Sequence, residues 1–259
     1  FLNWSDELWV ERRRQIVVPM LLILGLVWLA FYGTARWEKQ SMDSEIEADG
    51  VSIAGRIQDR MIAHREVLSS VNHFIEAMPE FTFLQFRKFT RITLQDNPDI
   101  SALSFNDLVL LEDRAAYESQ MSALSPLGSY RITERDGQQR LAPAGSRPLY
   151  APVRYIVPLS KNRPAVGFDI YSEPMRRDAI ERARRTNAMA VTAPLHLVQD
   201  HDKRVGLLEL LPVVAETEES GQPKKRLLGF AAAVIRVDEM VQIATRSKIP
   251  SNQIGRAHV

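Results

Sequence analysis

The chain has 259 residues, 45% hydrophobic and 25% charged, enough for one sizeable core or two small ones. Lys and Arg number 33 against 32 Asp and Glu, so no net field draws the chain to nucleic acid or spreads it along an anionic membrane surface. The absence of cysteine excludes disulfides, thiolate nucleophiles and Cys-based metal sites.

Residues 1–15 carry Arg12, Arg13 and Arg14 and are expected to be cytoplasmic, because the segment that follows is uncharged from Ile16 to Gly33. At about 1.5 Å per residue that run crosses roughly the ~30 Å hydrocarbon layer, so residues 16–35 are expected to form a transmembrane helix. Pro19 falls in its first turn, and Trp28, Tyr32 and Trp37 supply interfacial aromatics. A cleavable signal peptide is disfavoured because the apolar run exceeds the usual ~7 to 15 residues. The rest of the chain then faces the periplasm or the cell exterior.

Residues 36–77 read as a stalk helix, with Ile53, Ile57, Met61, His64, Leu68, Val71 and Ile75 stepping by threes and fours. Two uses of that stripe stand open: a dimer seam that carries movement toward the bilayer, or a face packed on its own domain. Met78-Pro79 ends the helix, and Phe81 to Ile92 restore a helical pattern as far as Asn97-Pro98. Strands are expected at Ile100–Phe105, Tyr130–Thr133, Tyr150–Val157 and Ala165–Ile170, with a helix near Leu111–Met121. Ser172 is placed to cap a helix with Pro174 in its first turn and an end near Arg185. Strands at Ala188–Thr192, Val205–Val214 and Leu227–Val237 follow, the last two joined by a polar loop over Glu216–Arg226. Few strand–helix–strand crossovers mean an antiparallel α+β domain over residues 78–240. Residues 241–253 are expected to start the connection to a second transmembrane helix beyond the sequence. Phe1 and the run Ile254-Gly-Arg-Ala-His-Val259 suggest a fragment with a non-native tail at 254–259.

Catalytic signals are missing: no Gly-x-Ser-x-Gly elbow, no cysteine and no Gly-rich phosphate loop. No cofactor motif stands out either. His196, Asp200, His201 and Asp202 lie close in sequence, but their spacing favours a polar loop over a metal site. Arg176, Arg177, Arg182, Arg184 and Arg185 alternate with Asp178 and Glu181, as expected of a solvated helix face rather than a nucleic-acid contact.

Tyr150-Ala-Pro-Val-Arg-Tyr-Ile-Val-Pro158 and Ala165-Val-Gly-Phe-Asp-Ile-Tyr-Ser-Glu-Pro-Met-Arg-Arg-Asp-Ala-Ile180 resemble a CHASE domain. This is the extracytoplasmic sensor of cytokinin-receptor histidine kinases and of many bacterial receptors. The resemblance extends to Arg114–Glu118, Ile132–Glu134, Val191–Pro194, Leu197–Gln199 and Leu228–Phe230, most of residues 75–240. It implies a long stalk helix followed by two PAS-like modules, a small ligand in the distal one, adenine-type in the plant members, and a homodimer through the helices. It also implies a cytoplasmic histidine kinase or diguanylate cyclase after a second span, as in a two-component or cyclic-dinucleotide system.

By the same resemblance Asp169 accepts hydrogen bonds from the ligand, and Val191 and Thr192 line the cavity. Asp169 has a second reading from its neighbours: it caps or orients the helix after Ser172, or pairs with an arginine. A membrane-anchored enzyme or a protein-binding adaptor is the alternative function.

Overall fold

In this computed structural model the chain is described over residues 4–196, 205–219 and 222–246. It divides into two units, Phe1–Gly55 and Arg56–Val259. Helix α1 (Trp4–Ala77) supplies the first unit and the opening of the second. Because α1 already begins at Trp4, Pro19 lies inside the helix and not in a first turn. Every described side chain from Pro19 to Tyr32 is exposed, and Trp28 stacks on Tyr32 with ring centroids 5.7 Å apart. Among the described residues no helix is long and apolar enough to cross a membrane, and the side chains of Ile16, Val18 and Gly33 lie outside that set.

The second unit continues with α2 (Phe83–Asp96), β1 (Ile100–Asp107), β2 (Val109–Leu110), α3 (Arg114–Leu124), β3 (Thr133–Arg135) and β4 (Leu141–Pro143). Next come β5 (Leu149–Tyr150), β6 (Val153–Val157), α4 (Leu159–Asn162), α5 (Pro174–Thr186), β7 (Ala190–Val191) and β8 (Leu195–His196). The long hairpin β9 (Val205–Glu219) and β10 (Gln222–Arg236) then leads into α6 (Val237–Arg246). Helix α2 starts at Phe83, two residues after the expected Phe81, because Thr82 and Gln85 satisfy each other's backbone N–H groups in a capping box.

A six-stranded antiparallel sheet in the order β6-β1-β10-β9-β7, with β8 also on β9, organises the unit. Strand alternation divides its side chains between two cores. Leu103 and Phe105 of β1 and Ala231, Ala233 and Ile235 of β10 face Leu68, Val71, Ile75, Phe86 and Met121 from α1, α2 and α3. Ala102, Phe230, Ala232, Val234, Leu208 and Leu210 face the other way, against Phe168, Ile170 and the Ala179, Ile180 and Ala183 stripe of α5. The α1 stripe from Leu68 onward is therefore packed on its own domain.

Several expectations change, and the strand expected at Tyr130–Thr133 instead begins at Thr133. Where two PAS-like modules are implied, the described residues form one large sheet and the two-stranded pairs β2-β5 and β3-β4. Ala165–Ile170 is not a strand: two 3-10 turns, Arg163–Ala165 and Ile170–Ser172, flank single bridges from Phe168 to Thr133 and from Asp169 to Pro152. Gly167 sits at φ +81°, which breaks the extended run. The α5 N-cap is Glu173, because the Ser172 hydroxyl donates to the Asp169 carbonyl at 2.6 Å. Finally, most of Glu216–Arg226 is strand; its register places Lys225 opposite Glu216, a favourable cross-strand pair that makes a polar ladder tolerable. The 241–253 connection begins as the end of α6, and residues from 247 on lie outside the described set.

Candidate functional site

Asp169 is fully buried at the start of the turn that leads into α5. Its Oδ1 accepts the N–H of Ala151 at 2.8 Å and of Tyr171 at 3.0 Å, and its Oδ2 accepts Arg147 Nη1 at 3.0 Å. Arg147 also pairs with Glu134, whose Oε1 accepts the Gly145 N–H at 2.9 Å. Burial pushes the Asp169 carboxyl up, and the Ala151 N–H and the Arg147 charge offset this only in part. The carboxylate thus ties together three stretches of chain: the 145–151 segment, β3 through Arg147 and Glu134, and the turn before α5.

Phe168 and Ile170, on either side of Asp169, turn the opposite way and wall a small cavity between the sheet and α5. Its volume is about 30 Å³, and Ser104, Asn106, Ala165, Arg176, Leu195 and Leu208 share the lining. Two of these lining residues carry a buried polar atom with no hydrogen-bond partner: Arg176 Nε and Asn106 Oδ1. Asn106 Nδ2 donates to the Phe230 carbonyl at 3.0 Å, which fixes the amide orientation and leaves Oδ1 as the open acceptor. Arg176 is only 4% exposed; it stacks over Phe168 at 5.1 Å and meets Glu173 at 3.4 Å. Burial pushes the Arg176 guanidinium down from its usual value, although it remains a cation.

Leu195 also lines an outer cleft of about 480 Å³, together with Glu134, Arg135, Ser172, Glu173 and Met175. On the other core, Asp107 accepts the Tyr117 hydroxyl at 2.7 Å in a cleft of about 450 Å³ that includes Arg154. Among the described residues no cluster of His, Asp and Glu has the arrangement of a metal site.

A second buried polar cluster joins α1 to the sheet. His64 Nε2 lies 3.0 Å from Asp99 Oδ2 and Nδ1 lies 3.2 Å from Glu209 Oε1, while Arg60 donates to both Asp99 oxygens. His64, Asp99 and Glu209 are all buried. Burial alone would lower the imidazole pKa, but its hydrogen bonds to Asp99 and Glu209 prevail and raise it from 6.5 to about 9. The Asp99 carboxyl, which burial would push up, is held well below the usual range by His64 and Arg60.

Residues 79–255 match the CHASE domain family. The chain belongs to that family. The CHASE match covers more than half of the sequence and makes the chain the sensor region of a signalling receptor. A search of curated proteins finds no match. Among solved structures, the ligand-binding domain of the Pseudomonas aeruginosa amino-acid chemoreceptor PctC, in complex with GABA, is 12% identical with a TM-score of 0.39, over 74% of this chain and 64% of that one. The periplasmic sensory domain of a Campylobacter jejuni chemoreceptor is 8% identical with a TM-score of 0.43, over 79% and 62%. The chain therefore spans less than two thirds of each.

Of the three ligand contacts implied by the resemblance, Asp169, Val191 and Thr192, none lines the inner cavity of the CHASE domain. Asp169 faces away from it into the Arg147 pair, so the capping and pairing reading describes its contacts. The Val191 carbonyl accepts Arg182 Nη2 at 2.7 Å, and Thr192 Oγ1 accepts the Leu208 N–H at 3.0 Å, which fastens β7 to β9. The cavity wall comes from their neighbours Phe168, Ile170 and Leu208. Arg176, expected on a solvated face, points inward instead, because Ala179, Ile180 and Ala183 turn that side of α5 onto the sheet. His64 is part of the predicted stripe as to spacing but holds two carboxylates rather than an apolar contact. The His196 to Asp202 segment lies mostly outside the described residues.

Proposed function

We propose that this CHASE domain is the extracytoplasmic ligand-sensing region of a transmembrane receptor and that its ligand enters the cavity between the sheet and α5. The observation that carries this reading is that two residues lining one largely apolar cavity, Arg176 and Asn106, each keep a buried polar atom without a partner, Nε and Oδ1. Buried polar groups without partners are rare in stable cores, and a bound guest supplies what they lack. Asp169, Val191 and Thr192 act as positioning residues that hold the two walls in register. The cavity in this state has room for only one or two waters, so an adenine-sized guest requires Leu195 or α5 to move outward.

In this reading residues 16–35 cross the membrane with residues 1–15 in the cytoplasm. The uncharged Ile16–Gly33 run, the arginines before it and the exposure of its described side chains support that placement. The buried His64 cluster is the mechanical link, since a shift of β9 moves Glu209 against α1. Exposed Met61 and Ile62 on α1 support homodimerisation through the stalk. The output, a diguanylate cyclase or a histidine kinase, lies beyond this sequence.

Thermal unfolding of the full chain against a panel of amino acids, short carboxylates, nucleobases and polyamines tests this reading. A compound at 100 times its Kd adds about 2.7 kcal/mol to the folded state. At least one such compound is expected to raise the Tm, and Ala165→Leu, which fills the cavity, is expected to abolish the rise. An equal rise in that variant, or none in the parent with any compound, rules out the cavity as the sensing site.

A further inference from the structure

The polarity of the cavity narrows the chemistry of its guest. Arg176 presents a guanidinium N–H donor with full positive charge, and Asn106 presents a carbonyl acceptor. Among the described residues Glu173 is the carboxylate facing Arg176, and it also lies 3.7 Å from Arg135, so it is divided between two arginines. Arg176 lies in the first turn of α5, where the helix dipole adds further positive potential. A group that complements both open atoms must carry negative charge on one side and an O–H or N–H donor on the other. An ammonium donor is disfavoured beside Arg176, because among the described residues no carboxylate lines the cavity to receive it. A hydroxyl has no such cost, and Ser104, whose Oγ accepts from Asn106 Nδ2 at 3.4 Å, also lines the cavity.

We propose that the cavity receives the head group of a 2-hydroxycarboxylate, with the carboxylate on Arg176 and the hydroxyl donating to Asn106 Oδ1. This rests on the sensing role given above for the same cavity. At about 30 Å³ the cavity holds only one or two water-sized atoms in this state, so Leu195 or α5 moves outward to seat the head group, and the remainder of the molecule extends past Leu195 toward the cleft of about 480 Å³. Leu195 is thus the gate between the two spaces.

Glycolate is the minimal probe, with acetate as the analogue lacking the hydroxyl and glycolamide as the analogue lacking the charge. Thermal unfolding of the full chain is followed against each at constant ionic strength. Glycolate is expected to give a saturable rise in Tm, with an affinity roughly tenfold above acetate from the additional hydrogen bond, while glycolamide gives none. Arg176→Gln is expected to weaken glycolate by roughly tenfold or more. Asn106→Leu is expected to leave acetate unchanged and erase the advantage of glycolate, and it decides the matter if Arg176→Gln does not fold. Glycolamide matching glycolate removes the carboxylate assignment, and acetate matching glycolate removes the hydroxyl. No saturable effect of glycolate overturns the proposal outright. If another panel compound still acts through a site blocked by Ala165→Leu, the sensing cavity stands and only its ligand class is wrong.

Discussion

Urea unfolding of the full chain is expected to show a stability loss of about 3 kcal/mol as the pH rises from 6.5 to beyond 9. The source is His64, whose folded pKa is raised to about 9 against an ordinary 6.5. A raised pKa means that the folded state holds the proton more tightly than the unfolded chain. The contribution is therefore complete below pH 6.5, declines between 6.5 and 9, and is gone above that range. The two carboxylates on the ring account for the direction, Asp99 on Nε2 and Glu209 on Nδ1, and they outweigh both burial and the Arg60 charge on the far side of Asp99. Replacing the ring by His64→Leu leaves Glu209 buried without its cation, and Glu209 Oε2 already has no partner. Removing one member of a buried ionic pair costs about 3 to 5 kcal/mol, so the variant is expected to lose that much at pH 6 and to become nearly insensitive to pH between 6.5 and 9. A parent protein with flat stability over that window contradicts the protonated imidazole.

Gly167→Ala is expected to be comparably severe, lowering stability by roughly 3 kcal/mol or more in the same urea experiment. Its φ of +81° is open to glycine and strained for alanine. Space forbids the change as well, since a Cβ there would stand 2.2 Å from the Arg131 carbonyl oxygen, which is backbone and cannot swing aside. Relief requires β3 to separate from the segment that holds Phe168 and Asp169, because the Thr133 N–H bonds to the Gly167 carbonyl at 2.9 Å and the Asp169 N–H to the Thr133 carbonyl at 2.8 Å. The same strain opens one wall of the cavity, so ligand-induced stabilisation should fall along with the fold. A loss under about 1 kcal/mol would mean that the turn does not need its left-handed residue.

Local chemistry was readable in advance wherever the partners are close in sequence. The α2 helix follows from the Phe81 to Ile92 pattern, although its Thr82–Gln85 capping box went unread, and α5 follows from Pro174 and the Ala179, Ile180 and Ala183 spacing. The CHASE resemblance likewise rests on contiguous blocks, and the family match confirms it. What stayed hidden depends on distant partners. His64 fits a helical stripe by position, and nothing near it announces Glu209, which lies 145 residues away. Arg176 sits in a run of arginines that looks solvated until the sheet defines which side of α5 is inside. The reach of β9 and β10 through a polar stretch depends on their mutual register, which places opposite charges face to face. Asp169 shows the limit most directly. Its type and setting fit both a ligand contact and an internal tie, and only the positions of Ala151, Arg147 and Tyr171 reveal how its oxygens are used.

The central claim is that a guest binds between the sheet and α5, and amide hydrogen exchange of the full chain tests it most directly. The compound that raises the Tm most in the panel is expected to slow exchange at Phe168 to Ala183 and at Leu208 on β9, the segments that wall the cavity. Protection confined to other regions, with those segments unchanged, would contradict it.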